Sequence, residues 1–187
     1  MSERNQNEGN IGLEKLALGR PADKARGCFF AALETFPYEP RGVVFGQYKQ
    51  DSCVAACCRM LLADQGIELP ESHLRTVLQV DEGAYISKLP EVLDSCGLTI
   101  SYQYRSDLTI EELIALLQGG PAVAYVARPR IRAGHALIVE QIVGARVCLR
   151  DPLPEIEGQA YQVALSDFLP LWIRPQTGRG QAAIVVE

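Results

Sequence analysis

Three of the chain's six cysteines fall within the seven residues "SCVAACC", as Cys53, Cys57 and Cys58, and the whole chain carries only two histidines, His73 and His135. A cysteine does chemistry as its thiolate, and thiolates form where unpaired backbone N–H groups or a cation hold the charge. Ser52, or Asp51 beside it, suits a helix N-cap, so Cys53 is expected in the first turn of a helix. There the N–H groups lack partners and the helix dipole is positive. Cys57 and Cys58 fall in the helix body and read as buried packing thiols. A nucleophilic thiol also needs a base, and the base needs an acceptor to orient it.

His73 stands mid-helix in "PESHLRTVL" and reads as a surface or half-buried helical residue, whereas His135 follows "RAG" and opens the apolar run "HALIVEQIVG". An ionisable group at the mouth of a buried strand is held by scaffold on all sides, which makes His135 the candidate base. Asp151 ends the next run, "RVCLR", just before Pro152. If the two runs pair as a hairpin through Gly144 and Ala145, Asp151 comes near the level of Leu137, about one strand position from His135. Each residue also has a plain structural use: a small core residue, a hydrogen-bonded histidine, a strand-ending Asp-Pro. Together they give a cysteine at a helix start, a histidine at a strand start and an aspartate at the end of the paired strand, the groups that an activated thiol nucleophile requires.

The elements that must position these groups follow from periodicity. Helical patterns run from Ser52 to Gly66, from Pro70 through "ESHLRTVLQ", through "SKLPEVLDSCG" with Pro90 in the first turn, and through "DLTIEELIALLQGG". In the last of these, Thr109 and Glu112 have capping-box spacing. "LTISYQYR" alternates as a strand, and "PAVAYVA", "HALIVEQIVG", "RVCLRDP", "YQVAL" and "AAIVVE" are short β-branched runs separated by turn signals. "SDFLPLWI" reads as a short helical turn. Helices first and antiparallel strands later make an α+β arrangement.

Residues 1–40 are expected to be an N-terminal extension, with 1–10 disordered, two short helices within 11–36 and "FPYEPRG" as a connector; 41–187 form the main domain. A pro-segment, a docking arm and a helix pair packed on the domain are all open readings of the extension. "RPRIR" (128–132) reads as a solvated turn and "DPLPEIEG" as a surface loop beside Asp151.

Composition narrows the partners. With 48% apolar residues, 22% charged residues and a net charge of −5, the chain has the balance of a soluble globular protein and lacks the basic character of a nucleic-acid binder. No apolar run approaches the roughly 20 residues that span a bilayer, so no membrane insertion is expected. The opening "MSERNQNEGN" lacks the apolar core of a signal peptide, so a cytoplasmic location is expected, with signal-less export as an effector the alternative. The cysteine spacings fit neither a disulfide framework nor a zinc site, and no metal or cofactor is expected.

The segments "QYKQDSCVAACCRMLL", "GHALIVEQIVGARVCLRDP" and "YQVALSDFLPLW…AAIVV" resemble the papain-like C39 peptidases, the bacteriocin-processing, double-glycine leader peptidases and their stand-alone relatives. The resemblance covers residues 45–187 and implies a papain-like fold, with the nucleophile opening a central helix packed on an antiparallel sheet. It implies Cys53 as nucleophile, His135 as base, Asp151 as its orienting partner and Gln47, six residues before Cys53, as an oxyanion-hole residue. Gln50 is a rival for that last role at a less fitting spacing. The implied activity is a cysteine peptidase acting on a peptide or protein through a thioester acyl-enzyme. Transglutaminases, arylamine acetyltransferases and toxin-type deamidases share the residue order, so a thiol-dependent deamidase or acyltransferase is the alternative, and a non-catalytic peptide-binding domain a further one. The chain departs from the family's Asp-Cys-Gly: it has Ser52-Cys53-Val54, which puts a branched side chain beside the nucleophile.

Overall fold

The computed structural model describes residues 27–127, 134–174 and 177–186. The expected disorder of 1–10, the helices expected from 11 to 26 and the "RPRIR" turn lie outside the described residues. In chain order the elements are β1 (Thr35–Pro37), α1 (Cys53–Asp64), α2 (Glu71–Val77), α3 (Leu89–Ser95, entered by a 3-10 turn at Ile86–Lys88), β2 (Ser101–Leu108), α4 (Ile110–Leu116), β3 (Ala122–Ala127), β4 (Gly134–Val143), β5 (Arg146–Asp151), β6 (Gln159–Ala164), α5 (Leu165–Trp172) and β7 (Gly180–Val186). The strands form one antiparallel sheet in the order β1-β6-β5-β4-β3-β7-β2. The fold is α+β and papain-like, helices first and sheet later, as the periodicity indicates. No helix among the described residues is long and apolar enough to cross a membrane.

The sheet has a core on each face, which explains why β4 reads as an unbroken apolar run rather than an alternating one. Ala136 and Ile138 face α1 together with Val123, Ala183 and the α1 residues Val54, Cys57, Cys58 and Leu61. Leu137 and Val139 face the opposite core with Leu149, Tyr161, Phe168 and Trp172. The central helix α1 is buried nearly all round, with Ala55, Ala56, Cys57, Cys58, Met60 and Leu62 fully covered. That accounts for its weakly amphipathic, small-residue sequence. In α4 the predicted capping box forms: Glu112 N donates to Thr109 Oγ1 at 3.1 Å, and Thr109 N to Glu112 Oε2 at 2.7 Å.

Two features depart from the sequence reading. Residues 27–34 form turns rather than a helix, and "TFP" forms β1, an edge strand pairing Thr35, Phe36 and Pro37 with Val163, Gln162 and Tyr161. Pro37 is tolerated because an edge strand does not need every N–H. The sheet and core therefore include residues on the N-terminal side of the boundary drawn at 40/41: Cys28, Phe29 and Phe30 are all buried.

The second feature is a bulge in the β4–β5 hairpin. The ladder runs Val143↔Arg146, Ile142↔Val147, Gln141↔Cys148, and then shifts to Val139↔Leu149 and Ile138↔Arg150. Glu140 is the extra residue. A regular ladder would set Asp151 opposite Ile138, on the α1 face; the shift sets it level with Leu137, on the side that His135 shares by parity. Glu140 is itself buried and accepts from Tyr38 Oη (2.6 Å), Arg41 N (3.0 Å) and Gly42 N (3.2 Å). Arg150 Nε lies 2.7 Å from Glu140 Oε1, off the hydrogen-bonding direction, while its Nη atoms bind Asp64 at 3.0 and 2.8 Å. This network fastens the bulge to the end of α1.

Candidate active site

Cys53 is the first residue of α1, half-buried, with Ser52 at the N-cap position. Ser52 does not cap with its side chain, contrary to expectation. Its hydroxyl accepts instead from Arg75 on α2, whose guanidinium also grips Asp51 at 2.6 and 2.9 Å. One turn earlier on α2, the Glu71 carboxylate accepts from Tyr48 N at 3.0 and 3.1 Å. From α1, the Arg59 guanidinium lies over the Phe45 ring at 4.0 Å. The loop leading into Cys53 is thus held by charged groups from two helices.

The Cys53 thiol and the His135 imidazole lie close enough for each to shift the other's proton affinity. Burial pushes the thiol up; the His135 hydrogen bond and charge, with backbone hydrogen bonds from Ala136 and Val54, outweigh it and bring the thiol below its ordinary value. Burial likewise acts against a charged imidazole, but hydrogen bonds to Asp151 and Cys53 overcome it and raise His135 to about 9. These directions favour a thiolate–imidazolium pair. Cys57 and Cys58 behave oppositely: burial raises Cys57 well above the ordinary range and pushes Cys58 up to about 12. Position along one helix separates the one lowered thiol from two raised ones.

His135 Nε2 lies 2.7 Å from Asp151 Oδ1, which leaves Nδ1 for Cys53. A carboxylate only accepts, so Nε2 carries the proton in that bond. Asp151 is fully buried and receives three more donors: Leu153 N to Oδ1 at 2.9 Å, Phe29 N to Oδ2 at 2.8 Å and Tyr161 Oη to Oδ2 at 2.5 Å. Burial, then the Asp151 charge, hold the Tyr161 hydroxyl protonated and so a donor. The Phe29 ring also stacks on the imidazole. Sequence reading missed Phe29, Tyr161, Arg75 and Glu71. Nothing in an aromatic residue before the domain or in the middle of β6 distinguishes it from core.

Cys53, His135 and Asp151 are thus brought together. Gln47 is buried in the loop before α1; its Nε2 donates to the Lys49 carbonyl at 2.8 Å, and its Oε1 has no hydrogen-bond partner among the described residues. The loop after Asp151 pins it, through Gln47 N to Pro152 O and Ile156 N to Gln47 O, both at 2.9 Å. That crossing requires Gly46, where a Cβ would meet Ile156 C at 2.3 Å. Gln50 is exposed and lines the cleft beside Cys53. His73 is exposed on α2, away from the cleft lining.

The cleft is bounded by Asp51, Val54, Tyr85, Tyr125, Gly134 and Ala136. Val54 turns most of its side chain into the core and is 2% exposed. The Tyr125 ring lies against Gly134, where a Cβ would fall 1.8 Å from it, so Gly134 lets this aromatic wall close in on the cleft that Cys53 lines.

A family model described as the peptidase C39 family matches residues 42–174. No curated protein matches the chain significantly. Among solved structures, the peptidase domain of Streptococcus ComA, a bi-functional ABC transporter involved in quorum sensing, aligns with TM-score 0.60 at 16% identity, over 79% of this chain and 98% of that one. A C39-like protein from Bacillus anthracis aligns with TM-score 0.60 at 17% identity, over 79% and 98%. A double-glycine-motif protease from an AMS/PCAT transporter, in complex with a leader peptide, aligns with TM-score 0.57 at 16% identity, over 81% and 96%. At these identities the structural likeness is one of fold.

Proposed function

The chain belongs to the peptidase C39 family, and from that premise we propose that it is a cysteine peptidase that hydrolyses peptide bonds with Cys53, His135 and Asp151. The observation that carries the reading is the chain of contacts from a lowered Cys53 thiol through His135 to a buried Asp151, opening on a cleft.

In the proposed mechanism, the Cys53 thiolate attacks the amide carbonyl while Asp151 fixes the imidazole with its proton on Nε2 and a second proton on Nδ1. The carbonyl oxygen becomes an oxyanion beside the Cys53 backbone N–H, left unpaired by the helix start. Gln47 Nε2, which has one N–H beyond that given to Lys49, is the second donor. Each such donor contributes about 3–4 kcal/mol to the transition state in comparable sites. His135 Nδ1–H then protonates the leaving amine, which departs and leaves a thioester on Cys53. Water, deprotonated by His135, attacks the thioester; the acid leaves and the thiolate returns.

The peptide bound to the double-glycine protease neighbour makes a leader peptide ending in Gly-Gly the first substrate to try. The experiment is mass spectrometry of such peptides, and of a mixed peptide library, after incubation with the chain and with Cys53→Ala. Cuts in the backbone that vanish in the variant support the peptidase reading. A gain of about 1 Da on Gln or Asn without cuts would replace it with deamidation.

A further inference from the structure

Phe29 lies thirteen residues before the span matched by the family model, yet it touches both members of the His–Asp pair. Its ring stacks on the His135 imidazole with centroids 5.2 Å apart and planes 9° from parallel. Its backbone N–H donates to Asp151 Oδ2 at 2.8 Å, the oxygen that His135 does not use. We propose that Phe29 is a positioning residue for the reaction: the Phe29 ring fixes the plane of the imidazole and its N–H fixes the carboxylate, so the segment around 28–30 is part of the working site.

The physical need is specific. An imidazole must aim Nε2 at Asp151 and Nδ1 at Cys53 at once, and its χ2 torsion sits in a broad well that does not fix the ring plane. A flat, parallel neighbour narrows that well. It also keeps water off the Nε2–Oδ1 bond, which strengthens it in the low-dielectric interior, and His135 is only 6% exposed.

Phe29 is itself firmly placed. Phe30 packs edge-on against it at 5.2 Å and stacks on Phe168 at 6.4 Å. The turn closes through Ala31 N to Cys28 O at 3.2 Å and Leu33 N to Phe30 O at 2.8 Å. Gly27, with φ +84, runs close to Pro154; a Cβ there would lie 3.1 Å from the proline Cβ. Because one residue serves both partners, any shift of this turn moves the carboxylate and the imidazole together.

The proposal rests on Cys53, His135 and Asp151 being the reacting groups, and its test does not need a peptide substrate. The rate of Cys53 alkylation by iodoacetamide against pH is measured on the full chain, with Cys53 labelling followed by peptide mapping. The titrating or charged groups around the pair are Cys53, Asp151, Tyr161, Cys28, Tyr125, Cys57 and Arg150, and no substitution used here alters them. Phe29→Leu keeps an apolar side chain and loses the flat face; Phe29→Met does the same should the leucine variant not fold. With the imidazole loosened, its hydrogen bond and charge no longer offset burial of the thiol, so the thiolate appears at higher pH. The expected result is a labelling rate about tenfold lower at pH 6.5 and little changed at pH 10, with Phe29→Tyr within about twofold of the parent at both. A Leu or Met profile that overlays the parent, or a Tyr profile displaced as far as the Leu one, overturns the proposal. If the profile moves as expected but no peptide is cut by the parent chain, the positioning role stands and the peptidase reading falls.

Discussion

Asp151 Oδ1 sits 2.7 Å from His135 Nε2 at the end of a hairpin whose register is shifted by one residue at Glu140. The shift moves the carboxylate from the α1 face to the imidazole's side of the sheet. Four donors then surround it: the imidazole, two backbone N–H groups and the Tyr161 hydroxyl.

Asp151→Asn is therefore expected to do more than remove a charge. An amide NH2 in that cage must face donors on one side, and where it faces His135 it reverses the tautomer, putting the proton on Nδ1 toward Cys53. Peptide turnover should fall by about 10²–10⁴-fold, as when comparable orienting carboxylates are replaced. Steady-state kinetics on a cleaved peptide checks it; a loss under threefold would remove Asp151 from the mechanism.

The pH profile follows from the signs of the two shifts. Cys53 is lowered and His135 raised to about 9, so the thiolate–imidazolium pair is populated between the two. Turnover should rise with pH as the thiol ionises, at a pH below that of an ordinary cysteine. It should fall as the pH passes about 9 and the imidazolium loses the proton the leaving amine needs. These limbs belong to the coupled pair rather than to either residue. A profile still rising above pH 10 would contradict the assignment.

Gln47 and Gln50 make opposite claims on the oxyanion. Gln47 is buried and fixed by its loop, whereas Gln50 is exposed on the cleft wall. Gln47→Ala should lower kcat by about 10²–10³-fold with a small change in KM. Gln50→Ala should leave kcat within a few-fold. The reverse pattern assigns the role to Gln50.

Arg150→Met tests the scaffold rather than the chemistry. It leaves the buried Glu140 carboxylate with its three hydrogen-bond donors but without its cation, and releases Asp64. Breaking a buried pair in this way costs about 3–5 kcal/mol, measurable by urea unfolding. A cost under 1 kcal/mol would mean that the Glu140 network does not hold the bulge.

Much of this arrangement is legible in the sequence because it rests on local rules. A helix start before Cys53, a capping box at Thr109 and Glu112, β-branched runs and a short turn at Gly144–Ala145 each leave a signature within a few residues. The contacts that are not legible are long-range. The bulge at Glu140 has no sequence mark; it follows from a carboxylate drawn inward to Tyr38 and Arg41, about a hundred residues away, and to Arg150 on the paired strand. Phe29, Tyr161 and Arg75 read as ordinary core and helix residues until the sheet brings them to the site. β1 was hidden because Pro37 and its neighbours carry the composition of a connector, and an edge strand asks little else of its residues.

The most direct test is to trap the acyl-enzyme. A Gly-Gly leader peptide is mixed with the full chain, quenched in acid within a single turnover, and the cysteine-containing fragments are mapped by mass spectrometry. The account predicts the acyl group on Cys53 alone, with no adduct and no cleavage in Cys53→Ala, and with Cys57→Ala cleaving at close to the parent rate. An acyl group on Cys57 or Cys58, or cleavage that survives Cys53→Ala, would contradict it.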